Sequence, residues 1–257
     1  MAHVDLVTPD RRPLASGVAA VRERAAELEA SHGGLPTAEL IEFVVHRLFR
    51  DKVALVSSFG AEAAVLLDLV AEVDPSIPVV FVDTEKLFGE TLRHRDRLVE
   101  RLGLTDVRTV GPDPRSLAEE DPEGLLWHAD GDACCRIRKV EPLARALAPF
   151  DAWISGRKRF QAATRAAIPT FEADGARIKV NPLATWSPEA LAARVAARDL
   201  PAHPLVAQGY PSIGCMPCTD RVAPGEDARA GRWRGKDKTE CGIHLGLTAE
   251  VEKESGR

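Results

Sequence analysis

Four of the five cysteines in this 257-residue chain fall into two tight pairs. Cys134 and Cys135 are adjacent in "GDACCRIRKVEP", and Cys215 and Cys218 form a C-x-x-C in "CMPC". Two local pairs brought together by a fold offer four sulfurs to one centre, which is a pattern of metal ligation. A dithiol–disulfide reading of the C-x-x-C leaves the adjacent pair unexplained. A zinc tetrahedron with Zn–S of ~2.3 Å needs its sulfurs about 3.8 Å apart around one ion, whereas an iron–sulfur cube gives each cysteine its own iron. Consecutive residues at a helix start diverge by about 100°, which suits two corners of a cube better than one shared ion. The spacing therefore favours a [4Fe-4S] cluster on Cys134, Cys135, Cys215 and Cys218, with a structural zinc as the alternative. A helix beginning near Cys134 would also favour thiolate ligands.

Cys241 stands outside both pairs, in "TECGIHLG", near Lys236 and Lys238 and three residues before His244. A thiol beside cations in an exposed segment is helped toward thiolate, the nucleophilic form. Cys241 is thus the candidate nucleophile, with an incidental free thiol as the plain alternative. Cations gather nearby in sequence: Lys139 lies one helical turn beyond Cys135, "SGRKRFQAATR" supplies Arg157, Lys158, Arg159 and Arg165, and "ARAGRWRGK" supplies Arg229, Arg232, Arg234 and Lys236. Singly, such residues are usually solvated surface. Together, beside the cysteines, they compose an anion clamp for phosphate or sulfate.

The elements that must position these groups read as alternating strands and helices. Two amphipathic helices fill residues 18–49, broken by "SHGGLP". The strand "KVALVSS", the helix "AEAAVLLDLVAEV", the strand "IPVVFVDT", a helix ending at Gly103 and the strand "DVRTV" follow. Then come a helix starting near Cys134, the strand "AWIS", the segments "IPTFEA" and "RIKVNPL", and a helix capped by Ser187 with Pro188 in its first turn. This alternation implies an α/β fold, a mostly parallel sheet flanked by helices with ligands at the carboxyl ends of the strands. "VALVSSFGAEAAVLL" is a strand, a small-residue turn and a helix, an arrangement that aims free N–H groups at an anion. It lacks G-x-x-x-x-G-K-[ST] and so excludes a Walker-type triphosphatase. It also lacks the Ser-Gly-Gly-x-Asp-Ser run of ATP pyrophosphatases, which points to a nucleotide whose pyrophosphate is not cleaved.

From Pro201 onward glycine, proline and charge dominate, so the C-terminal segment is expected to be held by ligands or substrate more than by a core of its own. The organisation expected is residues 1–50 as helices packed on the core, 51–200 as a nucleotide-binding core and 201–257 as a cluster-binding, catalytic segment of one domain. With 34 basic and 39 acidic residues the net charge is −5, and no excess of positive charge points to nucleic acid. No segment approaches the ~20 apolar residues of a membrane span, and five cysteines in tight local spacing suit a reducing, cytoplasmic setting. Trp127, Trp153 and Trp186 sit in or beside apolar segments and read as core, and His128 and His203 as ordinary polar residues.

Taken together, "SSFGAEAAVLL", "VDTEKLF", "CCRIRKVEPL", "SGRKRFQAATR", "CMPCT", "ARAGRW" and "TECGIHLG" closely resemble the assimilatory sulfonucleotide reductases, and within them the iron–sulfur branch of adenylyl-sulfate (APS) reductases. The matching motifs run from residue 57 to residue 246. The resemblance implies an adenine-nucleotide alpha-hydrolase-like (PP-loop-like) fold with a flexible C-terminal tail. It also implies reduction of APS to sulfite and AMP in sulfate assimilation and cysteine biosynthesis. Cys241 would carry a thiosulfonate that thioredoxin, or a glutaredoxin-like donor, resolves. Lys139, Arg165, Arg229 and Arg232 would hold sulfate and phosphate, with Ser58 and Gly60 in the nucleotide loop, and a homo-oligomer is left open. The runner-up is a reductase of the 3′-phosphorylated nucleotide (PAPS) or of both substrates; the non-enzymatic alternative is a zinc-containing adenine-nucleotide-binding module. One position departs from the family: Glu85 follows "DT" where glycine is usual, which puts the backbone contacts to the nucleotide in question.

Overall fold

A computed structural model describes residues 17–235, 238, 240 and 242–244. Six strands form one sheet in the order β3-β2-β1-β4-β6-β5: β1 Val53–Val56, β2 Val79–Val82, β3 Val107–Val110, β4 Ala152–Ile154, β5 Phe171–Asp174 and β6 Arg177–Val180. All neighbours are parallel except the β5–β6 hairpin. The two-residue period of a strand divides the core between the faces of the sheet. Val53, Leu55, Ala152 and Ile154 join the larger cluster, while Ala54 and Trp153 point the other way, toward Leu143 and Leu147.

The larger face is covered by α1 (Val18–His32), α2 (Thr37–Glu42), α3 (Ala63–Val73), α4 (Gly89–Leu102) and a helix near the C-terminal side, Pro188–Ala197. α2 runs on through a wider π-helical turn, Phe43–Leu48. α1 also closes the antiparallel edge: Glu29 Oε2 accepts the Phe171 N–H at 2.8 Å, and the Thr170 hydroxyl donates to Gly33 O at 3.0 Å. α4 ends where Gly103 turns left-handed at φ 63°, as a glycine after the last periodic residue foretells.

Two short helices appear between β3 and the cysteine pair: α5 (Pro114–Glu120) and α6 (Leu126–Ala129). The sequence reading passed over both, although Asp113 caps α5 and Pro114 opens it, a recognisable start signal. The cysteine helix starts earlier than expected. α7 (Gly131–Cys135) is capped by Asp130, whose carboxylate accepts from Asp132 and Ala133 N–H. The chain then passes through a π-helical turn, Arg136–Val140, into α8 (Glu141–Leu147). Pro142 has no N–H to give, and the wider winding just before it absorbs the missing i→i−4 bond. The helix over Pro188–Ala197, α9, is capped by Ser187 as expected.

Residues 201–244 contain no described element longer than three residues. This segment is nonetheless tied to the core by its backbone, more than the sequence reading anticipated. Met216 N–H donates to Lys86 O at 2.7 Å and a bridge pairs Leu87 with Cys215, while the bond from Trp233 N–H to Cys218 O at 3.2 Å and a bridge between Thr219 and Arg232 tie the segment to itself. Gly231 is required by such a contact, since a Cβ there would collide with the Asp220 carbonyl. The expected flexible C-terminal tail takes in residues 201–257, of which 236, 237, 239, 241 and those beyond 244 lie outside the described part of the structure.

Candidate active site

The chain leaves β1 toward β2 and β3 on one side and returns with β4 on the other, so the strand order reverses between β1 and β4. Loops that diverge at such a reversal leave a crevice. Here it is a cavity of about 550 Å³ lined from the β1 end by Ser57, Ser58 and Gly60 and from the β4 end by Ser155 and Arg157. The β1 loop is anchored from below: Phe59 is fully buried at φ 49°, edge-on to Phe81 at 5.4 Å, and its N–H is accepted by Ser57 Oγ at 3.2 Å. That leaves Ser58 exposed and Gly60 close-packed, since a Cβ on Gly60 would lie 3.3 Å from Ser58 Oγ and 3.4 Å from Ile213 O. Gly60 to Ala63 border the cavity, placing the N-terminus of α3 and the positive end of its dipole beside it.

The two cysteine pairs meet beside this crevice, where Cys215 lines the cavity and Cys134 interacts with Cys215 and Cys218. Cys134, Cys135 and Cys215 are buried and Cys218 half-buried, and none of the four is in a disulfide. Burial, followed by the neighbouring Cys215 and Cys218, pushes the Cys134 thiol above its ordinary pKa, whereas Arg138 and Lys139 pull it down. Thr84 Oγ1 lies 3.1 Å from Cys215 Sγ. The donor set fits a thiolate-bound metal centre in its chemistry: four soft ligands, no disulfide and cations at hand to stabilise the deprotonated forms. Among the described residues no three His, Cys, Asp or Glu side chains are grouped as a single-ion site.

The basic residues after the cysteine pair divide their tasks. Arg136 pairs with Glu120 and Glu141, and buried Arg138 donates to Asp121 Oδ2 at 2.7 Å and to Thr84 O at 2.9 Å, pinning the loop after β2 to the cysteine helix. Lys139 lines the cavity. Arg165, Arg229 and Arg232 line it as well, Arg232 stacking 4.4 Å from the Trp233 ring centroid beneath Gly214. All the candidate anion ligands therefore border one cavity. Lys158 is buried and bound to Glu62 Oε2 at 2.8 Å, a carboxylate that also accepts from Gln161 at 2.6 Å. Arg157 pairs with Glu172, and burial, reinforced by Arg165, lowers its pKa to about 10. Lys179 shares Glu172 at 3.3 Å and is lowered to about 7, chiefly by burial and then by Arg157.

Cys241 and Lys236 lie outside the described residues. Lys238, read from sequence with Cys241, bonds Asp132 Oδ1 at 2.5 Å and interacts with Cys135, so it serves the cysteine helix. Glu85 holds φ at 58°, a left-handed conformation that favours glycine. Its side chain is turned to Arg138 at 3.5 Å, and Glu85 is not among the residues lining the cavity. The carboxylate thus stays clear of the nucleotide loop. Sequence reasoning missed Glu62, Thr84, Trp233 and Glu240, all on the cavity wall. Their neighbours in the chain were the available signal, Glu240 standing beside Cys241 and Trp233 beside Arg232. Trp153 is buried with its N–H on Asp174 at 2.9 Å, and His203 is buried against Thr91 at 3.1 Å.

A reversed parallel sheet, an anion loop and converging cations define a nucleotide-binding α/β protein with a thiol-rich site. The phosphoadenosine phosphosulfate reductase domain matches residues 52–221, and the chain belongs to that family. It is 57% identical over 229 residues to the adenosine 5'-phosphosulfate reductase of Mesorhizobium japonicum, covering 89% of each. It is 46% identical over 215 residues to a protein of Gloeobacter violaceus named phosphoadenosine 5'-phosphosulfate reductase, covering 81% of this chain and 88% of that one. The crystal structure of phosphoadenylyl-sulfate reductase from Candida auris in a phosphate complex shares the fold, with a TM-score of 0.66 at 23% identity over 83% of this chain and 100% of that one.

Proposed function

We propose that the protein is a thioredoxin-dependent adenylyl-sulfate reductase of sulfate assimilation and cysteine biosynthesis, acting in the cytoplasm. The observation that carries the reading is the convergence of the β1 loop, Cys215 and the cations Lys139, Arg165, Arg229 and Arg232 at one cavity, with Cys134 beside Cys215 and Cys218, in a chain 57% identical to an APS reductase. Residues 51–200 would form the nucleotide core, with 1–50 packed on it and 201–257 bringing the second cysteine pair and the nucleophile.

In the first step the Cys241 thiolate attacks the sulfate sulfur of APS. The S–O bond to the phosphate breaks, AMP leaves with the electron pair, and the enzyme keeps an S-sulfonate. AMP needs no strong general acid, so the demand on the protein is electrostatic: cations on the wall offset the charge that gathers as a thiolate meets an oxyanion. In the second step a thiolate of the reductant attacks the Cys241 sulfur and sulfite departs with the bonding pair. The second thiol of the reductant resolves the mixed disulfide, so a dithiol becomes a disulfide and supplies both electrons. Cys134, Cys135, Cys215 and Cys218 would hold the [4Fe-4S] cluster, which when bound supplies a fixed local field and a cross-link between the two segments.

Reading the substrate as APS is supported by Lys158 and Arg157. Each is held by a carboxylate, Glu62 and Glu172, that a 3′-phosphate would have to displace. Steady-state assays with APS and PAPS test this selectivity, and equal efficiency on both would overturn it. The mechanism is tested by intact-mass analysis after mixing with APS, with the SO3 increment expected on Cys241 alone. Cys241→Ser is expected to keep the brown colour and nucleotide binding while losing turnover. A colourless protein with one stoichiometric zinc would favour a nucleotide-binding module instead.

A further inference from the structure

The residue preceding the proposed nucleophile is locked to the cavity wall. Glu240 Oε1 accepts from Arg165 Nε at 2.7 Å and Oε2 from Arg165 Nη2 at 2.7 Å, with both side chains 8% exposed. Thr164 Oγ1 donates to Oε1 at 3.1 Å, and Arg229 Nη2 lies 3.6 Å from Oε2. The remaining nitrogen of the guanidinium, Nη1, donates to Gln161 Oε1 at 2.5 Å. Every nitrogen of Arg165 is thus bonded by the protein itself.

We infer that Arg165 serves the chain before the substrate: the Glu240–Arg165 pair is a positioning device that docks the covalent neighbour of Cys241 on the cavity wall, which Lys139, Arg229 and Arg232 also line. This rests on the proposed role of Cys241. A two-bond fork between a guanidinium and a carboxylate is the most directional of ion pairs. Removing either partner strands a buried charge. The terminal sulfate of a phosphosulfate anhydride is a weaker hydrogen-bond acceptor than a carboxylate, so the incoming substrate has little power to displace Glu240. Burial opposes ionisation of Glu240, but the hydrogen bonds and charge of Arg165 outweigh it and hold the carboxyl below its usual range.

The other covalent neighbour of Cys241 is held too. A Cβ on Gly242 would lie 3.1 Å from Val140 Cγ2 and 4.0 Å from Cys135 Cβ, and Ile243 packs on the cluster of Val140, Leu143 and Leu147. The residues on either side of position 241 are therefore fixed to two different walls, one to the turn Ala163–Arg165 that follows β4 and one to the helix of Cys135 and Lys139.

The test uses the full-length, cluster-loaded enzyme and two readouts. One is the single-turnover rate of Cys241 sulfonation by APS, and the other is the Kd for APS in a Cys241→Ser background. Glu240→Gln is expected to slow sulfonation on the order of 100-fold while leaving the Kd within about twofold, the signature of a misplaced nucleophile. Glu240→Asp should recover part of the rate, and the visible spectrum should match wild type in both. Tighter APS binding with undiminished sulfonation would make Glu240 a competitor of substrate and overturn the inference. So would an APS Kd raised by Arg165→Lys as much as the rate falls, which would return Arg165 to the substrate. Should Glu240→Gln fail to assemble, Arg165→Lys, which keeps the charge and loses the fork, carries the same two readouts. A wild-type enzyme that forms no adduct sinks the proposed mechanism; an adduct formed equally fast by wild type and Glu240→Gln sinks this inference alone.

Discussion

The two walls of the cavity are built by opposite means. The wall at the ends of β1 and β4 rests on apolar packing: Phe59 lies under the loop, and Leu55, Ile154 and Trp153 are fully buried in the strands that lead to it. The wall from Pro211 to Ile243 is built from short turns, isolated backbone bridges, ion pairs and thiols. Burial of apolar surface is non-directional and tolerates change in the ligand, whereas a wall of polar links holds only while each link is satisfied. The nucleotide end should therefore survive loss of the metal centre, and the sulfur end should not.

The sharpest way to break this contrast is Cys215→Ser. It is expected to abolish turnover and bleach the protein, with AMP still bound, as measured by activity, visible absorption and calorimetry; loss of AMP binding would show that the walls are not independent. Trp153→Ala works from the other side. Emptying that fully buried site should cost about 3–5 kcal/mol of global stability, read from denaturant unfolding, and affect both walls together.

A smaller effect comes from the His94–His203 pair, whose rings lie 4.8 Å apart in the packing between α4 and the C-terminal segment. Burial, then the charge of His203, lowers the pKa of His94 to about 4, and burial lowers that of His203 to about 4. The unfolded chain takes up these protons near the ordinary value of 6.5 and the folded chain does not. Stability from this source is complete above that value and is lost as pH falls from there toward 4. Melting temperature against pH should show the slope, and His94→Leu should flatten it; an unchanged slope would remove the pair from the account. The smallest effect is expected for Glu85→Gly, which relieves the left-handed strain at φ 58°. It should stabilise by roughly 1 kcal/mol, the order of such a backbone penalty, offset in part by the lost contact to Arg138. Nucleotide affinity should not change, because Glu85 does not line the cavity.

Much of the framework was legible in the residues. Four of the six strands, β1 to β4, fall within segments that read as strands, β5 and β6 fall at "IPTFEA" and "RIKVNPL", to which the sequence reading assigns no element, and Gly103 and Ser187 mark helix ends where glycine and serine caps should stand. These signals are local, set by periodicity and by the hydrogen-bonding needs of helix termini. The paired cysteines and the three groups of cations were visible as well, because residue type and short spacing alone announce that chemistry.

Partnership was not legible, because it joins residues far apart in the chain. Nothing in "SGRKRFQAATR" says that Lys158 answers to Glu62, Arg157 to Glu172 and Arg165 to Glu240, or that Lys139 lines the cavity while Arg138 pins the loop after β2. By itself the sequence determined which elements form, which face of each is apolar and which side chains could do chemistry. The tertiary structure decided which carboxylate holds each buried cation and which side chains line the cavity. Charge pairing depends on distances of a few ångströms between segments that only the folded sheet brings together.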